Sequence, residues 1–150
     1  FRVGRASLPV FYGEEDEILL GKGNLVKDGK DITIIATGIM VASAFEAAEE
    51  LAAEGIDARV IDIHTIKPID EEIIIKAAQE TGAIVTAEEH SIIGGLGDAV
   101  AQVVVKNSPC RIEMVGQQDT FGESGKPDEL RAKYHMTTND IVDAVHKLLK

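Results

Sequence analysis

The run Ala87-Glu-Glu-His-Ser-Ile-Ile-Gly-Gly-Leu-Gly-Asp-Ala-Val100 places two carboxylates, an imidazole and three glycines between a strand-like stretch, Ala83-Ile-Val-Thr-Ala87, and a helix-like one. In parallel α/β sheets the loops leaving the carboxyl ends of strands hold ligands, and glycines at a helix N-terminus let backbone amides approach an anion. The two familiar phosphate-binding patterns do not fit. Gly95-Leu96-Gly97 begins a G-x-G-x-x-G, but its sixth position is Val100, and seven residues, Glu88 to Gly94, lie between the strand and Gly95 where a tight turn is required. Gly125-Lys126 is followed by Pro127 rather than Ser or Thr, with Thr120 where a P-loop begins on Gly.

Three other chemistries can be read from residue types. His64, Glu88, Glu89, His90 and Asp119 all fall at or just beyond the expected carboxyl ends of strands, and imidazoles with carboxylates form a zinc- or iron-compatible set. No His-x-x-x-His or Cys-rich spacing fixes two such ligands on one element. The alternative has Glu88 and Glu89 bracing the loop while His64 and His90 hydrogen-bond within it or face a partner. At Gly94, Gly95 and Gly97, free amides could hold an anion, although Asp98 already brings negative charge to that helix end, and the glycines equally suit tight backbone packing. Ile92, Ile93 and Leu96 stand among these glycines as an apolar group that contact with another domain or subunit would cover. Nucleophilic catalysis has no candidate: Cys110 lies beside Pro109 in the approach to a strand, where a small apolar side chain is expected, and no serine has an elbow sequence. His135 and His146 have no partner that the sequence reveals.

The elements that must position these residues alternate regularly. Residues 1–10 look extended, residues 13–17 form a solvated turn, and a short strand is expected around Asn24–Lys27. Ile32-Thr-Ile-Ile-Ala36 reads as a strand buried on both faces and Gly38 ends it. Val41, Ala44, Ala48 and Leu51 recur at helical spacing over 39–54 before Gly55. A strand over Arg59–His64, a helix capped by Asp70 and closed by Gly82, the strand Ala83–Ala87, a helix over Leu96–Lys106, a strand over Arg111–Val115 and helices over Asp128–Lys133 and Thr138–Leu149 complete the order. This is an α/β sequence. It implies a three-layer α/β/α sandwich on a five-stranded, mainly parallel mixed sheet.

Composition narrows the partners. The net charge of −11 falls wholly on residues 31–150, because five basic and five acidic residues cancel within residues 1–30. With 4% aromatic residues and no basic cluster, the chain is unsuited to nucleic acid, and no apolar run approaches a membrane span. A single cysteine allows no internal disulfide and fits a reducing cytoplasm. The chain begins Phe1-Arg-Val-Gly-Arg5, without an initiator Met or a secretory signal pattern, and is expected to be a piece of a longer protein.

Arg5-Ala-Ser-Leu-Pro9, Ile34-Ile-Ala-Thr-Gly38, Ala87-Glu-Glu-His90 with Gly94-Gly-Leu-Gly97, and Phe121-Gly-Glu-Ser-Gly-Lys-Pro127 ahead of a closing amphipathic helix form an ordered set. Together they resemble the C-terminal domain of transketolases, along the whole chain. The resemblance implies that residues 1–20 are the end of a preceding pyrimidine-binding domain and its linker, and residues 21–150 the C-terminal domain. It further implies ketol transfer between sugar phosphates by the complete homodimeric enzyme, with thiamine diphosphate and Mg2+ held by domains absent here. Arg5 is then the ligand of the substrate phosphate, a task suited to a guanidinium that donates bidentately. Glu88, Glu89, His90 and the glycines Gly94, Gly95 and Gly97 would lie at an interface with the rest of the enzyme. On this reading the chain by itself is structural, dimer-stabilising and catalytically silent. Two other readings stay open: the docking domain of a 2-oxo acid dehydrogenase β chain, or a small regulatory ligand-binding α/β domain.

Overall fold

A computed structural model describes residues 10–150. Arg5 and its Leu-Pro neighbours lie outside the described residues. Five strands, β1 (Asn24–Lys27), β2 (Ile32–Ala36), β3 (Ala58–Asp62), β4 (Ala83–Ser91) and β5 (Arg111–Gln117), form one sheet in the order β1-β3-β2-β4-β5. β1 runs antiparallel to β3, and the remaining pairs are parallel. The fold is thus the mixed α/β sandwich that the alternation of apolar runs implies.

Period two along each strand divides the core. Ile32, Ile34, Ala36, Ala58, Val60, Val85 and Ala87 face α1 (Met40–Ala53) and α5 (Thr138–Leu149), whose Met40, Ala44, Leu51, Ile141 and Val145 are buried against them. Ile35, Ile61, Ile63 and Ile84 face the opposite layer, α2 (Glu71–Thr81) and α3 (Leu96–Asn107), through Ile74, Ala77, Leu96 and Val100. Each fully buried isoleucine contributes about 1.5–3 kcal/mol, so β2, buried at every position, anchors both layers. A short α4 (Pro127–Lys133) starts on its proline, with Asp128 and Glu129 in the first turn. No helix among the described residues is long and apolar enough to cross a membrane.

Local signals explain most boundaries. Asp70 caps α2, its side chain accepting from Ile73 N, and Gly82 closes it in the left-handed region at φ 69°. Thr137 and Asp140 form a capping box at α5. Three strands differ from expectation, the smallest change being β5, which runs two residues past Val115 to Gln117. β3 stops at Asp62, which leaves His64 in the following loop. β4 continues to Ser91 instead of ending at Ala87, with a register irregularity between Ala87 and Ser91 opposite β5. Gly116 makes the extension possible: a β-carbon there would lie 2.9 Å from the His90 carbonyl oxygen and 2.9 Å from Ile92 Cγ2.

Candidate functional site

The longer β4 sets the geometry of the glycine junction. Strand alternation sets Glu88 on the face of Ile84, toward the α2–α3 layer, where it is 1% exposed, and the following residues Glu89 and His90 are exposed past the covered part of the sheet. α3 starts on Gly95, which has no side chain to cap it, and Glu88 does so from the neighbouring strand. Its Oε2 accepts from Leu96 N at 2.7 Å and its Oε1 from Gly97 N at 2.9 Å. Two charge-assisted bonds thereby satisfy two of the four orphan amides of the helix and set a carboxylate against the positive end of its dipole. The glycines follow from this arrangement. A β-carbon on Gly95 would collide with the Glu88 carboxylate, and one on Gly97 would lie 2.7 Å from the Met114 sulfur and 3.0 Å from Thr86 Oγ1. Gly94, with φ 74°, makes the turn and donates its amide to Asp98 at 2.6 Å.

These contacts decide what the junction can hold. Of the amides expected to meet an anion, those of Gly94 and Gly97 already donate to the chain's own carboxylates, as does that of Leu96, and a bound phosphate or diphosphate would face the Glu88 charge where its own oxygens must sit. A diphosphate cofactor does not fit this helix end. The geometry favours the alternative of tight backbone packing at Gly95 and Gly97, on a helix capped from within the chain.

The set of His64, Glu88, Glu89, His90 and Asp119 does not gather into a metal site. His64 follows β3, Glu88 sits on β4, and β2 lies between those strands, so the two are about 10 Å apart by strand spacing alone. His90 places Nδ1 2.8 Å from the Ser91 carbonyl and 4.0 Å from Glu88 Oε2. Asp119 is exposed beyond β5 at φ 49°. Among the described residues no three His, Cys, Asp or Glu side chains are grouped to hold a metal. His135 and His146 have partners that only the fold reveals, Asp140 at 3.2 Å and Glu54 at 2.7 Å. Cys110 is half-buried, packed against the α2–α3 layer of the core, and burial pushes its thiol up.

A second polar cluster, missed in the sequence, sits at the carboxyl end of β3. Asp62 is 5% exposed, and Tyr12 Oη donates to its Oδ2 at 2.7 Å across 50 residues of chain. Burial raises the Asp62 carboxyl above the usual carboxylate value, against the opposing pull of the Tyr12 hydrogen bond and of His64. Because the native state holds this proton more tightly than the unfolded chain, its contribution to stability is fully present below the ordinary carboxylate value and is lost as pH rises through the raised one. Asp62→Asn does not titrate. Urea unfolding at successive pH values is expected to show the variant gaining on the parent across that window, with a constant difference on either side. A pH-independent difference throughout would refute the buried-carboxylate account.

Sheet order, two helical layers and a carboxyl edge with a strand-borne helix cap define an open, doubly wound α/β domain. A family model described as "Transketolase, C-terminal domain" matches residues 21–141. The chain belongs to the transketolase family, as its C-terminal domain. It is 51% identical over 135 residues to the 6-deoxy-6-sulfo-D-fructose transketolase subunit SqwH of Clostridium sp. (strain MSTE9), covering 90% of this chain and 42% of that protein. With an apulose-4-phosphate transketolase subunit of Phocaeicola vulgatus the identity is 43%, over 99% of this chain and 48% of the relative. A solved structure of a split gene transketolase, an inactive β4 tetramer, superposes with a TM-score of 0.94 at 50% identity, over 97% of this chain and 48% of that one. The chain thus spans about half the length of these relatives. The transketolase of Leishmania mexicana shares the fold, at 22% identity and a TM-score of 0.64 over 18% of its length.

Proposed function

We propose that this chain is the C-terminal part of one component of a two-component transketolase, whose complete form moves a two-carbon ketol unit between sugar phosphates. The observation that carries this reading is the near full-length match to relatives named as subunits or as a split gene product, each about twice as long as the chain. Residues 1–20 are then the end of the preceding pyrimidine-binding domain and its linker. Thiamine diphosphate and Mg2+ belong to the other domains, since the one glycine-rich helix start among the described residues is filled by Glu88. The domain's own task is structural: it adds to the association of subunits in a homodimeric enzyme of the cytoplasm. Ile93 and Phe121, 62% and 97% exposed beyond the carboxyl ends of β4 and β5, support an interface there with Glu89 and His90 beside it.

Arg5 supplies the test of the substrate class. As the ligand of a sugar phosphate it contributes a charge-assisted bond worth about 1.5–3 kcal/mol, so Arg5→Ala in the complete enzyme is expected to raise KM for phosphorylated acceptors about tenfold to a hundredfold. Unphosphorylated sugars should be almost unaffected. Equal losses on both kinds of substrate would assign Arg5 to the fold instead.

A further inference from the structure

Residues 10–23 run over the carboxyl end of β3 and are fastened there by few contacts. Between residues 10 and 20 only Tyr12 is not exposed, so little apolar burial holds the segment down. Three hydrogen bonds to side chains of the domain do most of the holding. Asp62 Oδ2 accepts from Tyr12 Oη at 2.7 Å, Thr65 Oγ1 from Gly21 N at 3.3 Å, and Asp70 Oδ2 from Gly23 N at 3.0 Å. The Phe11 ring adds one edge-on contact with Phe45 of α1, at 5.5 Å.

The Tyr12 anchor differs from the other two in what lies beneath it. Asp62 is buried, and its Oδ1 has no hydrogen-bond partner among the described residues, nor has His64 Nε2 two residues on. A neutral carboxyl tolerates this setting, but a carboxylate with one of its oxygens unserved does not. Few groups face it. Tyr12, itself influenced by Asp16, covers it from the entering segment, and His64 stands beyond it at the end of its own strand. Its register partners are the neutral Asn24 on β1 and the apolar Ala36 on β2. By period two Asp62 shares the face of Val60, which α1 covers, and the first turn of that helix, Met40 to Ser43, carries no charge. Lys22, the nearest lysine in the segment, is already paired with Glu72 and Asp70.

Hydrating an ionised Asp62 requires only that Tyr12 lift away, whereas unfolding the sheet would expose the whole core. We infer that residues 10–23 form a proton-controlled strap, seated on the domain by Tyr12 while the Asp62 carboxyl is protonated and released when that carboxyl ionises. Tyr12 remains a donor throughout, because burial and the adjacent Asp62 push its hydroxyl up. The direction follows from linkage. With the strap released, Asp62 meets water and titrates at the ordinary carboxylate value; with the strap seated, burial raises it. Docking is therefore strongest below the ordinary value and weakens as pH rises through the raised one, about tenfold for each pH unit between the two. The strap does not depend on the ketol-transfer reading.

Hydrogen exchange of the complete protein, read by mass spectrometry from acidic to neutral pH, tests this on two peptides, one covering residues 12–23 and one covering the buried strand β2. Protection is corrected for the intrinsic pH dependence of exchange. In the parent, protection of residues 12–23 is expected to fall about tenfold across the Asp62 titration while that of β2 holds. Asp62→Asn cannot ionise and should abolish the fall. Tyr12→Phe takes away the one donor to the carboxylate and should deepen the fall about three- to tenfold. Constant protection of residues 12–23 in the parent, a fall shared equally by β2, the same fall in Asp62→Asn, or a fall that Tyr12→Phe leaves unchanged would each overturn the strap. Should Asp62→Asn not fold, the two peptides of the parent and of Tyr12→Phe decide the matter.

Discussion

Glu88→Ala is expected to destabilise the domain by about 3–5 kcal/mol, a large share of the roughly 5–15 kcal/mol that holds a domain of this size together. Each of the two bonds from Leu96 N and Gly97 N ends on a charged acceptor and is worth about 1.5–3 kcal/mol. Alanine leaves both amides without their acceptor, one in a residue that is fully buried, and opens a cavity where the side chain was. Glu88→Gln keeps one acceptor oxygen and should recover about half of the loss. The urea midpoint of the purified chain reads both effects, and a cost below about 1 kcal/mol for alanine would show that water replaces the cap. Gly95 provides an internal check, because a methyl group there collides with the same carboxylate. Gly95→Ala should be strongly destabilising in the parent and much less so beside Glu88→Ala, a coupling that a double-mutant cycle measures directly.

Glu88 also shows where a sequence reading succeeds and where it stops. Asp70 and Gly82 mark both ends of α2 because their signals are local, a side-chain acceptor before the first turn and a left-handed residue after the last. The continuous apolar run of β2 is legible for the same reason. The bracing role of Glu88 is legible in outline, but its burial is not, since Glu88-Glu89 looks like the polar end of a strand. Period two carried one residue further places Glu88 on the face of Ile84 and Thr86, the side that α3 covers, and a helix that starts on Gly95 without its own capping side chain asks for an acceptor from elsewhere. Those two signals together could have found it. Sequence alone groups Leu96 with Ile92 and Ile93 as apolar residues awaiting a partner, but Leu96 is fully buried as the first residue of α3, while Ile93 is 62% exposed. No local pattern announces the pairing of Tyr12 with Asp62, because 50 residues separate them and the contact exists only once β1 has paired with β3.

The largest effect expected concerns activity. The one helix end that resembles a phosphate cradle among the described residues is closed by Glu88, so on the proposed reading the chemistry of ketol transfer comes from the other half of the enzyme. The most direct test is an assay of ketol transfer by the purified chain with thiamine diphosphate and Mg2+, alone and after joining to or mixing with the complementary half of its relatives. A folded chain with no turnover by itself, and turnover once the missing half is supplied, is the predicted result. Turnover by the rigorously pure chain alone would contradict it.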